Sequence, residues 1–141
     1  MFPDVADATR LAKQTLFFSE FINRHCADRK LPGPALVQIH CHQHAVLDPQ
    51  SEENVLGALQ LKHEILKSGC CGMAGAFGFE QNKFSVSMAA AERVLLPEIR
   101  KASPSTLIVA NRFSCREQIE QTTGRSTSHI AEVISEALSV A

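Results

Sequence analysis

The chain lacks any apolar run approaching the ~18 residues of a membrane span, and its start, Met1-Phe2-Pro3-Asp4, lacks the basic-then-apolar order of a secretory signal. Both absences point to a cytoplasmic protein, with any contact to the inner face of a membrane made through a partner. Charge of one sign is also missing. A net charge of -1 and a pI near 6.6 offer no broad attraction for nucleic acid or anionic lipid, so neither is expected as a partner. Neither Gly-x-Gly-x-x-Gly nor Gly-Lys-Ser/Thr occurs, which sets aside a phosphate-cradling loop. No repeat, low-complexity tract or linker divides the sequence. Residues 1–141, 45% hydrophobic and 21% charged, read as one domain able to bury a core, and not necessarily as a whole protein.

What the chain has is cysteine in an unusual setting. Cys70 and Cys71 are adjacent within Gly69-Cys70-Cys71-Gly72-Met73-Ala74-Gly75-Ala76-Phe77-Gly78, a stretch holding four of the seven glycines at three-residue intervals. Neighbouring cysteines do not easily bond to each other without straining the peptide between them, so two thiolates in one pocket suggest metal ligation more than a structural disulfide. Five cysteines is an odd count, and without a secretion signal they are expected to be reduced, which again ranks metal or catalytic roles above disulfides. The glycines would let backbone approach a bulky inorganic group and turn N–H groups toward its sulfurs; the plainer reading is an ordinary flexible loop.

Apolar spacing predicts a helix from Val5 to about Cys26, stopped by Leu31-Pro32-Gly33-Pro34. Ala35 to Ile39 reads as a buried strand ending in His40-Cys41-His42-Gln43-His44. Asp48 and Pro49 open a second helix, whose stripe of Val55, Leu56, Leu59, Ile65 and Leu66 runs to a stop at Gly69. Ser87 to Leu96 is helical in pattern, with Pro97 either kinking it or opening another short helix. Thr106 to Ala110 is the clearest strand, and a weak one is possible around Phe79 to Val86. Ser114-Cys115-Arg116-Glu117 matches a capping box, placing Cys115 in the first turn of a helix to about Gly124, where the helix dipole would favour a thiolate. A last helix covers His129 to Leu138. Strands alternating with helices imply an α/β, Rossmann-like three-layer domain with a small parallel sheet, thin enough to suggest a segment of a larger protein or pairing with a partner.

Ligands collect at the carboxyl ends of strands in such a sheet, and Cys41 and Cys115 each follow one. Cys70 and Cys71 can join them through the loop. Four cysteines from three loops match the thiolate count of an iron–sulfur cluster or a tetrahedral zinc site. Twenty-eight residues separate Cys41 from Cys70 and forty-three separate Cys71 from Cys115, far from short zinc-finger spacing. On an extended backbone His40, His42 and His44 would share one side, either as ligands or as hydrogen-bonding groups that orient Cys41. His25, Cys26, His63 and His129 read as isolated residues on helices or caps.

His40-Cys41-His42-Gln43, Gly69-Cys70-Cys71-Gly72-Met73-Ala74-Gly75 with Phe77-Gly78-Phe79-Glu80, and Phe113-Ser114-Cys115-Arg116-Glu117-Gln118-Ile119 occur in order over roughly residues 15 to 140. They resemble the cysteine-rich CCG domain of heterodisulfide reductase subunits and of FAD-linked glycolate, lactate and 2-hydroxyglutarate oxidoreductases, most of all the C-terminal end of the FAD-linked type. The resemblance implies an iron–sulfur electron-transfer domain that takes electrons from a flavin on a missing domain or partner and passes them to a quinone or other acceptor. It implies Cys41, Cys70, Cys71 and Cys115 as ligands of a [4Fe–4S]-type cluster. Arg112 stands at the first position of the Cys-x-x-Cys that ends the family's fullest motif, so four thiolates remain where a five-cysteine, noncubane cluster would need one more.

Three functions follow. In the first, those four cysteines hold the cluster while Gly69, Gly72, Gly75 and His42 surround it and tune its potential. In the second, the same thiolates, completed by His42 or His44 if one is uncommitted, hold a structural zinc against a flavoprotein. In the third, Cys115 is a low-pKa nucleophile resolved by Cys70 or Cys71.

Overall fold

The computed structural model describes residues 5–25, 30–31, 33–46 and 50–139. Among them, three strands form one parallel sheet: β1 (Pro34–Gln38), β2 (Lys62–Ile65) and β3 (Leu107–Ala110), in the order β2-β1-β3. Val37 of β1 lies opposite Ile65 on one side and Val109 on the other. Beyond β3, Ser128 exchanges backbone bonds with Ile108 and Ala110 at 2.8 and 3.0 Å, which covers that edge.

The period-two alternation of the strands divides the apolar residues between two cores, giving the expected three layers. Ala35, Val37 and Val109 pack with Val55 and Leu56 of α4 (Gln50–Ala58) and with Ile130, Val133 and Ala137 of α8 (Ile130–Ser139). Ile108 and Ala110 face the other way, toward α5 (Phe84–Ala91), α6 (Leu95–Lys101) and α7 (Phe113–Thr123), where Leu95, Leu96, Ile99, Cys115 and Ile119 are buried. Pro97 sits in the first turn of α6, where its missing N–H has no helical partner to lose, so it opens a short helix instead of kinking a long one. No helix among the described residues is long and apolar enough to cross a membrane.

Several elements differ from the sequence expectation. The first helix is two, α1 (Ala6–Gln14) and α2 (Phe18–His25). Thr15 leaves helical geometry while its hydroxyl and N–H both return to the Leu11 carbonyl, and the Phe17 N–H donates to the Glu20 carboxylate at 2.8 Å. α1 buries none of its residues against the described chain. The second helix ends at Ala58, because Gln60 adopts a left-handed φ of 52° and the chain re-emerges as β2. Leu61, His63 and Ile65 alternate with exposed Lys62 and Glu64, a strand period that the longer helical stripe concealed. Its expected start at Asp48-Pro49 lies outside the described residues. The weak strand around Phe79 to Val86 is a 3-10 turn (Phe77–Phe79) leading into α5, with Phe79, Phe84 and Val86 exposed.

The capping box does not form. α7 starts two residues earlier, after Arg112, with no side-chain cap among the described residues; a comparable arrangement occurs at α8, where the His129 N–H donates to the Glu132 carboxylate. The histidines also do not alternate along a strand, since the chain turns into α3 (Cys41–Val46) directly after His40.

One buried polar network ties these layers. Glu52, 1% exposed on α4, accepts hydrogen bonds from Gln43 of α3 at 2.8 Å and from Asn111, just beyond β3, at 2.5 Å. Asn111 in turn accepts from the Ile130 N–H at the start of α8. Burial holds the Glu52 carboxyl above the usual carboxylate range, and the two hydrogen bonds only partly offset it. The native state therefore binds that proton more tightly than the unfolded chain. Its stabilising contribution is complete below the unfolded value of 4.5 and declines as pH rises through the folded one. In denaturant titrations the stability of the wild type relative to Glu52→Gln is expected to fall as pH rises from 4.5 through the folded value; parallel curves would contradict the assignment.

Candidate functional site

Because all three strands are parallel, their carboxyl ends lie along one edge of the sheet, and each leads to a cysteine segment. β1 continues through Ile39 and His40 to Cys41, the first residue of α3. β2 continues to Cys70 and Cys71, and β3 to Cys115, the third residue of α7. The adjacent pair thus follows a strand and not a helix stop, so the site is more regular than the sequence indicated.

Gln38 anchors the loop that carries the pair. Its side chain, 1% exposed at the end of β1, donates to the carbonyls of Ile39 and Gly69 at 3.1 and 3.3 Å and accepts from the Ser68 hydroxyl. Sequence reasoning missed this residue, although a glutamine in the otherwise apolar run Ala35 to Ile39 is a visible signal for such a role.

The four thiols meet as two pairs. Cys41 and Cys70, both half-buried, are hydrogen-bonded to each other; Cys71 and Cys115, 2% and 1% exposed, form the second pair. No disulfide joins these four cysteines. Backbone donors are aimed at the sulfurs: the Gly72 N–H reaches Cys70 Sγ at 3.3 Å, the N–H groups of Cys71, Met73 and Ala74 face Cys71, and that of His42 faces Cys41. Left-handed φ angles at Gly72 (91°) and Ala74 (42°) turn the loop so that successive amides point inward, as in a backbone anion nest.

These donors, led by the hydrogen bond from Cys115, lower the Cys71 pKa to about 6 against the opposing effect of burial. Cys115 moves the other way. Its proton is given to Cys71, its sulfur is buried, and the charges of Cys71, Cys41 and Cys70 all oppose a thiolate there. The hydrogen bond between them thus acts in opposite directions on the two thiols, lowering Cys71 and raising Cys115. Burial and Cys70 likewise raise the pKa of Cys41.

The glycines have different surroundings. A Cβ at Gly72 would overlap the carbonyl oxygen of Ser87 on α5, so its room is taken by protein, whereas Gly69 and Gly75 face open space. His42 is exposed on α3, its ring 6.2 Å from that of His40. Burial, then the charges of Arg112 and His42, lower the His40 pKa, and its Nδ1 is buried without a partner, as is the Ser87 hydroxyl. His63 is bonded to the Leu61 carbonyl, and His129 accepts from the Ala131 N–H at the start of α8, both packed roles. Cys26 lies outside the described residues. An open cleft of about 840 Å³ borders the Cys41 side, lined by Ile39, His44, His63, Leu66 and Gly69.

The donor set suits a soft, cationic centre: four sulfurs, amides directed at them, and mutual repulsion between thiolates that positive charge would relieve. Among the described residues no three His, Cys, Asp or Glu side chains converge closely enough to hold a single metal ion; the thiols stand as pairs.

Fold and thiols together define a small parallel α/β domain arranged around a cysteine cluster. Its sequence is similar to a D-2-hydroxyglutarate dehydrogenase of Pseudomonas putida, 29% identical over 73% of this chain and 10% of that protein. A D-2-hydroxyglutarate dehydrogenase of Pantoea ananatis is 28% identical over 70% of the chain and 10% of its own length. A subunit of the anaerobic glycerol-3-phosphate dehydrogenase of Escherichia coli K12 is 32% identical over 55% of the chain and 19% of that subunit. The chain spans about a tenth of the length of the hydroxyglutarate dehydrogenases it matches. No family model matches it, and no solved structure does.

If backbone packing at the loop governs the site, Gly72→Ala and Gly75→Ala should differ although both have positive φ. Gly75→Ala is expected to cost about 1 kcal/mol from backbone strain alone, and Gly72→Ala about 3 kcal/mol or more, since overlap with Ser87 adds to it. Denaturation midpoints measure both; equal losses would contradict the packing role.

Proposed function

We propose that this chain is an iron–sulfur electron-transfer domain of the cysteine-rich CCG type, part of an FAD-linked 2-hydroxy-acid oxidoreductase and not catalytic alone. The observation that carries the reading is that three strand-end segments bring four cysteines, as two pairs, to one edge of the sheet, with backbone amides aimed at their sulfurs. Similarity to dehydrogenases of which it spans a small part supports a role within a larger oxidoreductase.

Cys41, Cys70, Cys71 and Cys115 would hold a [4Fe–4S]-type cluster, which when bound carries single electrons between flavin and acceptor. The amides of His42, Gly72, Met73 and Ala74 stabilise charge on sulfur and so tune the potential. Gly69 and Gly75 leave space beside the centre, and His42 stands at its rim. The cleft beside Cys41 gives an acceptor such as a quinone its approach. The electron donor is a flavoprotein domain or subunit, through which a cytoplasmic complex would reach the inner face of a membrane.

Anaerobic reconstitution of each serine variant tests the ligand set. Cys41→Ser, Cys70→Ser, Cys71→Ser and Cys115→Ser are each expected to weaken iron retention about tenfold or more, with an altered electron paramagnetic resonance spectrum in the reduced state, while Cys26→Ser retains both. Full iron content in any of the four would remove that residue from the ligand set. Thiol reactivity lost only with Cys71 or Cys115, in a protein that takes no iron, would favour thiol redox chemistry.

A further inference from the structure

Cys70 and Cys71 are neighbours in one loop, yet they pair in different directions: Cys70 with Cys41 at the start of α3, Cys71 with Cys115 at the start of α7. Both pairs exist together only if those two helix starts keep a fixed separation. Strand pairing does not by itself set it, because each helix is joined to its strand by two residues, Ile39-His40 or Asn111-Arg112. One side chain spans both connections. Glu52 accepts from Gln43, two residues past Cys41, at 2.8 Å, and from Asn111, the first residue past β3, at 2.5 Å. Asn111 cannot turn its amide over, since its oxygen already accepts the Ile130 N–H at 2.8 Å.

We infer that Glu52 is a positioning residue for the thiol cluster, its buried carboxylate setting the separation between the Cys41 and Cys115 segments. What the thiols hold rests on the reading proposed above; their spacing does not. Glu52 touches no sulfur and acts through Gln43 and Asn111. An interior carboxylate that only stabilised the fold would be replaceable by any residue that restored stability, whereas a positioning residue is replaceable only by one that restores both bonds. Glutamine does so. Its oxygen can accept from Asn111, and its NH₂ can donate to the Gln43 side-chain oxygen once the Gln43 amide turns over. Leucine offers no acceptor and leaves two buried donors unpaired.

The test uses the reduced, metal-free full chain and dibromobimane, which becomes fluorescent only after both of its arms have alkylated thiols, with peptide mapping to assign the Cys41–Cys70 bridge. Monobromobimane labelling of the same two half-buried thiols normalises for exposure. Glu52→Leu is expected to slow bridging about tenfold relative to single alkylation, while Glu52→Gln bridges as the wild type does. Val133→Ala, a fully buried change in the α4–α8 core, supplies a destabilised control that should also bridge normally. Wild-type bridging in Glu52→Leu, or equal loss in Val133→Ala, would overturn the inference. Should Glu52→Leu not fold, Gln43→Met cuts only the α3 tie; it is expected to slow the Cys41–Cys70 bridge, and unchanged bridging there overturns the inference equally. On reconstitution, a reduction potential shifted in Glu52→Leu but not in Glu52→Gln would extend it to the loaded centre. A wild-type chain that takes up no iron would end the iron–sulfur reading and leave the bridging result standing.

Discussion

The parallel pairing of β1 with both of its neighbours is the constraint on which the rest of this structure depends. It places three carboxyl ends along one edge of the sheet, so residues far apart in the chain emerge together. An antiparallel β2 would send Cys70 and Cys71 to the opposite edge from Cys41 and Cys115. Helices on both faces follow from the same pairing, because parallel strands need long crossovers and the crossovers must cover the sheet. The two cores are the result, with Cys71 and Cys115 belonging to one of them. Part of the thiol cluster is thus part of the fold's apolar interior.

The loop after β2 carries the second level of organisation. Gln38 and Ser68 hold its beginning to the central strand, and Gly72 lets it lie against the backbone of α5 at Ser87. Between these anchors the alternating backbone turns amides toward Cys70 and Cys71. Sulfur therefore meets fixed donors in place of mobile water. Fixed donors favour a charged sulfur without the reorganisation that solvent requires, which suits a site where charge changes by one electron at a time.

Much of this was legible in the residues. β1 and β3 stood out as short apolar runs, and α8 showed its apolar stripe. The glycine period around Cys70 and Cys71 reads as room for an inorganic group; at Gly72 the backbone of α5 takes that room, while Gly69 and Gly75 face open space. β2 was hidden because Leu59, Leu61, Ile65 and Leu66 satisfy a helical stripe as well as a strand, and the left-handed turn at Gln60 has no glycine to mark it. The box at Ser114 was locally plausible, but Arg112 already occupies the cap position. Glu52 was illegible, since a glutamate in a helix normally faces water, and only tertiary packing places it between Gln43 and Asn111.

The measurement that bears most directly on the central claim is iron, acid-labile sulfide and zinc analysis of one anaerobically purified sample of the chain. The account predicts about four irons and four sulfides per chain, with no zinc, as a four-thiolate cubane cluster requires. One zinc without sulfide would contradict it and make the thiols a structural metal site.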